Sequence, residues 1–324
     1  MSSPHFSVVL PLYNKQESVV ASIESVLAQS FREFELIVVD DGSTDDSLAL
    51  VKAVHDERIR IIEQANQGVS IARNVGASAA DADSIAFIDA DDRWHSEFLS
   101  TIETLMNRYP NQESYASAWQ PWSRSALVPS ALPGGPDAPL MIDYPRESRD
   151  DVVVHICSLV VKKSAFLEVG GFPAGVRIYE DQDFCCRLAE RGPIVFSPLP
   201  LVYYVRDAEN RACDHRQVQD MPPWFVSQEQ LMAARHPEDS REWHLKEFLV
   251  SRYLQEVSLA AQTAGERGRA ARLLWRCRNT SASRIRFFKA CLYLLLPSSL
   301  LTRLLDSVRQ GTRSVTSVDR EQAL

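Results

Sequence analysis

The apolar run Ser84–Asp92 (SIAFIDADD) ends in three carboxylates, Asp89, Asp91 and Asp92. Ligands of open α/β sheets bind beyond the carboxyl ends of strands, so a site is expected here. Asp89 and Asp91 leave the strand two residues apart and can share a divalent cation. With no His or Cys beside them in the sequence, they favour a hard ion, Mg2+ or Mn2+, completed by substrate phosphates and water. Asp92 has a second reading as the N-cap of the apolar-periodic segment Trp94–Tyr109. Asp89 has no such structural return, because a charge at the end of a buried strand costs desolvation. A second acidic group, Glu180, Asp181 and Asp183, opens the helical pattern Asp181–Arg191. A helix dipole favours acids in a first turn, yet three together repel one another.

Alternating elements are expected to position these groups. Phe6–Pro11, Phe34–Asp40, Arg58–Ile62 and Ser84–Asp89 read as buried strands. Glu17–Gln29, with Val19, Val20, Ile23, Val26 and Leu27 on one face, and the small-residue segment Val69–Ala80 read as helices between them. Such alternation predicts a mostly parallel sheet covered on both faces. Pro121–Pro145 reads as a long functional loop. Regularity returns at Val152–Val161 and Lys163–Val169, and strands at Ile194–Phe196 and Leu201–Val205 follow. Residues 1–215 are expected to form the catalytic domain and 216–324 a helical C-terminal region.

A net charge of −8 over 324 residues argues against a general nucleic-acid binder. Its distribution is uneven. Gly265–Leu324 holds twelve Lys/Arg against four Asp/Glu, a net +8, so the remainder carries −16. Within that stretch Ser283–Leu305 combines Phe287, Phe288, Leu292–Leu296, Leu300 and Leu301 with Arg284, Arg286, Lys289 and Arg303, and Pro297 breaks the run. Too short to span a bilayer, it fits an interfacial hairpin on anionic lipid or a helix pair packed on the protein. The six cysteines lack CxxC spacing and read as buried hydrophobes in a reducing compartment. No secretory signal is visible, so a cytoplasmic location is expected, peripheral on the inner face of the membrane if the tail binds lipid.

The segments FSVVLPLYN, ESVVASIESVLAQSF, FELIVVDDGSTDDS, NQGVSIARNVG, IAFIDADD, VGGF and YEDQDFCCRLAERG, in that order across residues 6–205, resemble the family 2 glycosyltransferases. Single motifs such as VGGF are weak; seven in order are specific. The resemblance implies a GT-A fold, a Rossmann-like α/β domain. It also implies an inverting transfer from a nucleoside diphosphate sugar, UDP being the first expectation, with Mn2+ or Mg2+. Asp91 would then ligate the metal, and Asp89 would share it or touch the ribose. Asp181 would be the general base. Pro11, Tyr13 and Asp41 would line the nucleotide base, with Tyr13 otherwise an ordinary surface aromatic. Arg73 would reach the base or diphosphate, or pair with Asp89. Many relatives carry a metal-site His after the strand matching Leu201–Val205. Here Asp207 stands near that place, with Arg206 or Arg211 available for phosphates, and His215 comes too late.

The expected activity is hexosyl or N-acetylhexosaminyl transfer to a glycan or lipid-linked acceptor in cell-surface polysaccharide synthesis. Acceptor choice is expected in Trp119–Arg149 and around Val154–Ser158. Two rivals stand beside it. A sugar-1-phosphate nucleotidyltransferase should carry a glycine-rich loop after its first strand, and Pro11–Lys15 has no glycine. A non-catalytic sugar-nucleotide-binding protein would have no need of Asp181.

Overall fold

The structure, a computed structural model, describes residues 4–122, 139–209, 220–263, 265–280 and 284–296. The chain divides into two compact units. One runs from Met1 to Arg216 with Pro222–Trp224; the other takes Gln217–Met221 and Phe225–Leu324.

The first unit is organised on one sheet. Its strands are β1 (Phe6–Leu12), β2 (Phe34–Asp40), β3 (Ile59–Glu63), β4 (Ser84–Phe87), β5 (Arg93–Trp94), β6 (Ser114–Trp122), β7 (Leu140–Ile142), β8 (Leu159–Lys162) and β9 (Ile194–Val205). They lie in the order β3-β2-β1-β4-β8-β6-β9-β5, with β7 also on β9. The pairs β1–β2, β1–β4, β2–β3 and β6–β9 are parallel, while β8 runs antiparallel to β4 and β6. This polarity brings the carboxyl ends of β1, β2, β4, β6 and β9 and the amino end of β8 to one edge.

Every residue of β1 is buried, as its unbroken apolar run requires of a strand covered on both faces. Pro11 fits this central strand because β1–β4 pairing stops at Val9. Val9 O accepts from Ile88 N, so the β4-facing side that Pro11 shares is already beyond its last rung. The helices α1 (Val19–Leu27), α2 (Ser47–Ala53), α3 (Val69–Ala79) and α4 (Phe98–Arg108) follow their strands, and α5 (Tyr144–Glu147), α6 (Lys163–Glu168) and α7 (Glu180–Ala189) come later. A Cβ on Gly76 would stand 2.4 Å from Val9 Cγ1, so glycine lets α3 sit down on β1. Phe87, Phe166, Phe172 and Phe184 pack with centroids 4.5–6.4 Å apart and seat α7 beneath the end of β4.

Three elements differ from the sequence reading. The helix expected from Trp94 begins at Phe98, because Arg93–Trp94 pair with Tyr203–Val202 as β5. The strands expected at Ile194–Phe196 and Leu201–Val205 are one strand, since β6 pairs along it with register shifts near Ala118 that absorb Pro198 and Pro200. Part of the Pro121–Pro145 loop is regular, with β7 on β9 and α5 after it; residues 123–138 lie outside the described residues. Cys157, Cys185, Cys186 and Cys277 are buried free thiols, and Cys291 is a half-buried one.

The second unit is helical, with α8 (Pro223–Ser227) at the division, then α9 (Glu229–Ala233), α10 (Arg241–Gln262), α11 (Arg267–Arg276) and α12 (Arg284–Leu295). Ser240 caps α10 by accepting from Trp243 N. Arg286 Nη1 donates to Ser251 Oγ at 2.6 Å, tying α12 to α10. Arg267 donates to the carbonyls of Leu294 and Leu296. Four apolar residues of α12 point outward: Ile285, Phe288, Leu292 and Leu295 are 83, 65, 58 and 78% exposed. Among the described residues no helix is long and apolar enough to cross a membrane. Pro297–Leu305, the rest of the expected hairpin, lies outside the described residues.

Candidate active site

The acidic cluster lies where β4 ends, and each carboxylate has its own surroundings. Asp89 Oδ1 accepts from Arg73 Nη2 at 2.7 Å, and its backbone N–H donates to Cys157 Sγ at 3.2 Å. Burial raises the Asp89 carboxyl, but Arg73 and then His155 outweigh it and leave it below the ordinary value. Asp91 Oδ2 lies 2.6 Å from Lys15 Nζ. Its burial, with Asp89 beside it, outweighs Lys15 and lifts its carboxyl above the ordinary value. Asp92 does not cap a helix. It is wholly buried and accepts from Val205 N at 3.0 Å through Oδ1, joining the end of β4 to β9. Burial, then the charges of Asp91 and Asp89, pushes it well above the carboxylate range.

Arg73 is the hinge between the two acidic groups. Buried on α3, it reaches Asp89 with one nitrogen and Glu180 Oε1 with the other, at 3.1 Å, and stacks over Phe172 at 5.2 Å. Burial opposes its charge, yet Asp89 and Glu180 hold it above its ordinary value. Of the two sequence expectations, pairing with Asp89 is the contact it makes.

The turn Gly170–Phe172 sets α7. Gly171 has φ +63, and a Cβ there would stand 2.6 Å from Asn74 Oδ1; that oxygen accepts from Phe172 N while Asn74 Nδ2 donates to Phe172 O. Tyr179 then enters the left-handed region (φ +67) as α7 begins, a cost of about 1–3 kcal/mol that surrounding contacts must sustain. The three acids now separate by role. Asp183 is buried against Arg187, 2.6 Å away, which also donates to the carbonyls of Val169 and Gly171. Glu180 is buried against Arg73; burial and then the Asp181 charge push it up to about 7. Asp181 is half-buried, accepts from Gln182 N at 2.8 Å, and has no ion pair among the described residues. Of the three it is the one whose carboxylate is not taken up by an arginine among the described residues.

On the β1–β2 side, Asp41 is buried, and its carboxylate accepts from Gln64 Nε2, Gln67 N and Gly68 N at 2.7–2.8 Å. It therefore shapes the loop before α3 and keeps lone-pair capacity on Oδ2 for a further donor. Tyr13 is 40% exposed at the mouth of this side. Asn14, in the left-handed region, clamps β1 to the β2 loop through Thr44 N and Ser43 Oγ.

Sequence reasoning missed Lys15, His155 and Cys157. His155 precedes the 3-10 turn Ile156–Ser158 at the amino end of β8, inside a stretch flagged only for the acceptor. Burial holds its imidazole below the ordinary value against the pull of Asp89 and Asp181. Donor atoms of Asp92, His155 and Cys157 lie within 4.8 Å of one another. Burial and the neighbouring Asp89 and Asp92 charges hold the Cys157 thiol well above its ordinary value in the metal-free chain. Asp89, Asp91 and Asp181 leave more negative charge than Lys15 and Arg73 balance, and their oxygens beside an imidazole suit a hard or borderline divalent cation. Asp207 and Arg206 follow β9 at the same edge, whereas Arg211 and His215 lie outside the described residues.

An open, mostly parallel sheet with paired carboxylates at one edge defines a GT-A domain. Residues 7–119 match the family described as Glycosyl transferase family 2. The uncharacterized glycosyltransferase YibD of Escherichia coli (strain K12) is 37% identical over 106 residues, 32% of this chain and 31% of that protein. The amylovoran biosynthesis glycosyltransferase AmsB of Erwinia amylovora is 34% identical over 118 residues, 35% of this chain and 39% of that protein. These matches span less than two fifths of those relatives' lengths. The crystal structure of S. aureus TarS 1-349 in complex with UDP-GlcNAc superposes with a TM-score of 0.63 at 17% identity, covering 94% of this chain and 92% of that one.

Proposed function

We propose that the first unit is an inverting glycosyltransferase domain that moves a sugar from UDP to a hydroxyl of a glycan or lipid-linked acceptor, in the synthesis of a cell-surface polysaccharide. The observation that carries this reading is the opposition of Asp89 and Asp91, at the end of β4, to Asp181 on α7, which has no ion pair among the described residues, with Arg73 bridging the two groups. TarS, solved with UDP-GlcNAc, and AmsB, a glycosyltransferase of amylovoran biosynthesis, support UDP, an N-acetylhexosaminyl or hexosyl group and a polysaccharide product.

Asp181 takes the acceptor hydroxyl proton as the acceptor oxygen bonds to the anomeric carbon. The bond from that carbon to the diphosphate breaks, and its electron pair leaves with the UDP. One displacement inverts the anomeric centre. Lys15 lies beside Asp91 and supplies positive charge near the diphosphate. A bound Mn2+ or Mg2+, held by Asp91 and Asp89, would add Lewis-acid neutralisation of that leaving group. Pro11, Tyr13 and Asp41 form the nucleotide side. Asp181 also weighs against a non-catalytic binding protein, which has no need of a placed base.

For the second unit the outward stripe of α12, beside Arg284 and Lys289, supports contact with an anionic membrane surface and so a peripheral location. The decisive experiment for the domain is turnover of UDP-sugars, read as UDP release, in wild type against Asp181→Asn. UDP binding without turnover of any donor would favour the non-catalytic reading.

A further inference from the structure

Three aromatic side chains meet where the strands beyond β4 end. The His155 ring lies 4.8 Å from that of Tyr204 and 5.7 Å from that of Trp119, and Trp119 and Tyr204 are 5.7 Å apart. Trp119 comes from the end of β6, Tyr204 from the end of β9 and His155 from the start of β8. The parallel pairing of Trp119 with Val202 and Pro121 with Tyr204 puts the Trp119 and Tyr204 side chains on one face of the sheet. The Trp119 indole N–H donates to Val152 O at 3.0 Å, which fixes the ring. Both rings are only half-buried.

Their place in the strand order matters. The nucleotide side is at β2 and β1, the metal acids at β4, and β8 and β6 come next. Neighbouring strands stand about 4.8 Å apart, so β6 ends about 10 Å from β4, in the direction away from the nucleotide. His155 connects the rings to the acidic cluster, its Nδ1 lying 3.8 Å from Asp92 Oδ2. Resting on the glycosyltransferase reading, we propose that Trp119 and Tyr204, backed by His155, form the platform for the acceptor's terminal pyranose ring. The C–H face of a pyranose buries against the aromatic faces, while its hydroxyl edge turns toward Asp181. Aromatic rings provide large, stiff apolar area at low entropic cost, suiting a ligand that is apolar on one face and polar at its rim. The platform selects a pyranosyl acceptor over a bare lipid alcohol or an amino-acid hydroxyl.

The test uses the full chain loaded with Mn2+ and UDP and a panel of methyl pyranosides with gluco, galacto, manno and N-acetylgluco configurations, read by saturation-transfer NMR. At least one pyranoside is expected to bind the wild type. Its signal should fall at least fivefold in Trp119→Ala and in Tyr204→Ala and be largely kept in Trp119→Phe, while calorimetric UDP affinity changes by less than threefold. Equal pyranoside binding by wild type and folded Trp119→Ala overturns the proposal, as does a panel with no member bound to the wild type. Loss of UDP affinity together with pyranoside binding assigns the rings to the donor side and overturns it as well. Failure of the wild type to bind UDP at all is a different result, and refutes the glycosyltransferase reading itself.

Discussion

Lys15 Nζ stands 2.6 Å from Asp91 Oδ2 and 2.6 Å from Glu209 O, so an ammonium already occupies one oxygen of the carboxylate expected to bind metal. A divalent ion at Asp91 meets the repulsion of that ammonium. Asp91→Asn is expected to abolish Mn2+-dependent UDP binding, and Lys15→Met to tighten Mn2+ binding without UDP by about tenfold, equivalent to about 1.4 kcal/mol. Isothermal titration calorimetry reads both. Unchanged Mn2+ affinity in Lys15→Met would show no competition, and full turnover in excess chelator would remove the metal from the reaction.

Asp181→Asn keeps size and hydrogen bonding but cannot accept a proton. Turnover should fall by about 10²–10⁴-fold with UDP affinity little changed. Asp183→Asn should instead lower stability, because its partner Arg187 anchors the carbonyls of Val169 and Gly171. If Glu180→Gln loses more turnover than Asp181→Asn, the base is Glu180.

Glu180 makes stability depend on pH. Its folded value, about 7, is raised above its ordinary value of 4.5, so the folded state binds the extra proton between the two. The stabilisation is therefore complete below pH 4.5 and is lost as pH rises through 7. In metal-free protein, urea midpoints should fall across this window more steeply for wild type than for Glu180→Gln. Parallel pH profiles for the two proteins would contradict this.

The outward stripe of α12 should hold the chain on anionic lipid. Replacing Ile285, Phe288, Leu292 and Leu295 with Ser should release the protein from phosphatidylglycerol vesicles in flotation. Salt should weaken wild-type binding, since at 0.1 M charges are screened over about 10 Å. Indifference of the wild type to such vesicles at low salt would mean that this face packs against protein.

Much of the first half was legible because its information is local. Unbroken apolar runs marked β1, β2 and β4. What could not be read depends on contacts distant in sequence. Arg93–Trp94 looked helical because its partner, Val202–Tyr203, lies more than a hundred residues on. Pro198 and Pro200 split a strand that β6 carries through. His155 carried no motif, and only the antiparallel return of β8 brings it beside Asp89. Lys15 sat in a recognised turn, but its reach to Asp91 crosses 76 positions.

The sheet also has a seam. Strands β3, β2, β1 and β4 come from the first ninety residues, and β8, β6 and β9 from residues 114–205, with the family match ending at Trp119. Under the proposed function, donor chemistry is inherited on one side of that seam and acceptor choice on the other. Changes at the ends of β6 and β9 that spare Asp181 can then retarget the acceptor without reinventing the reaction.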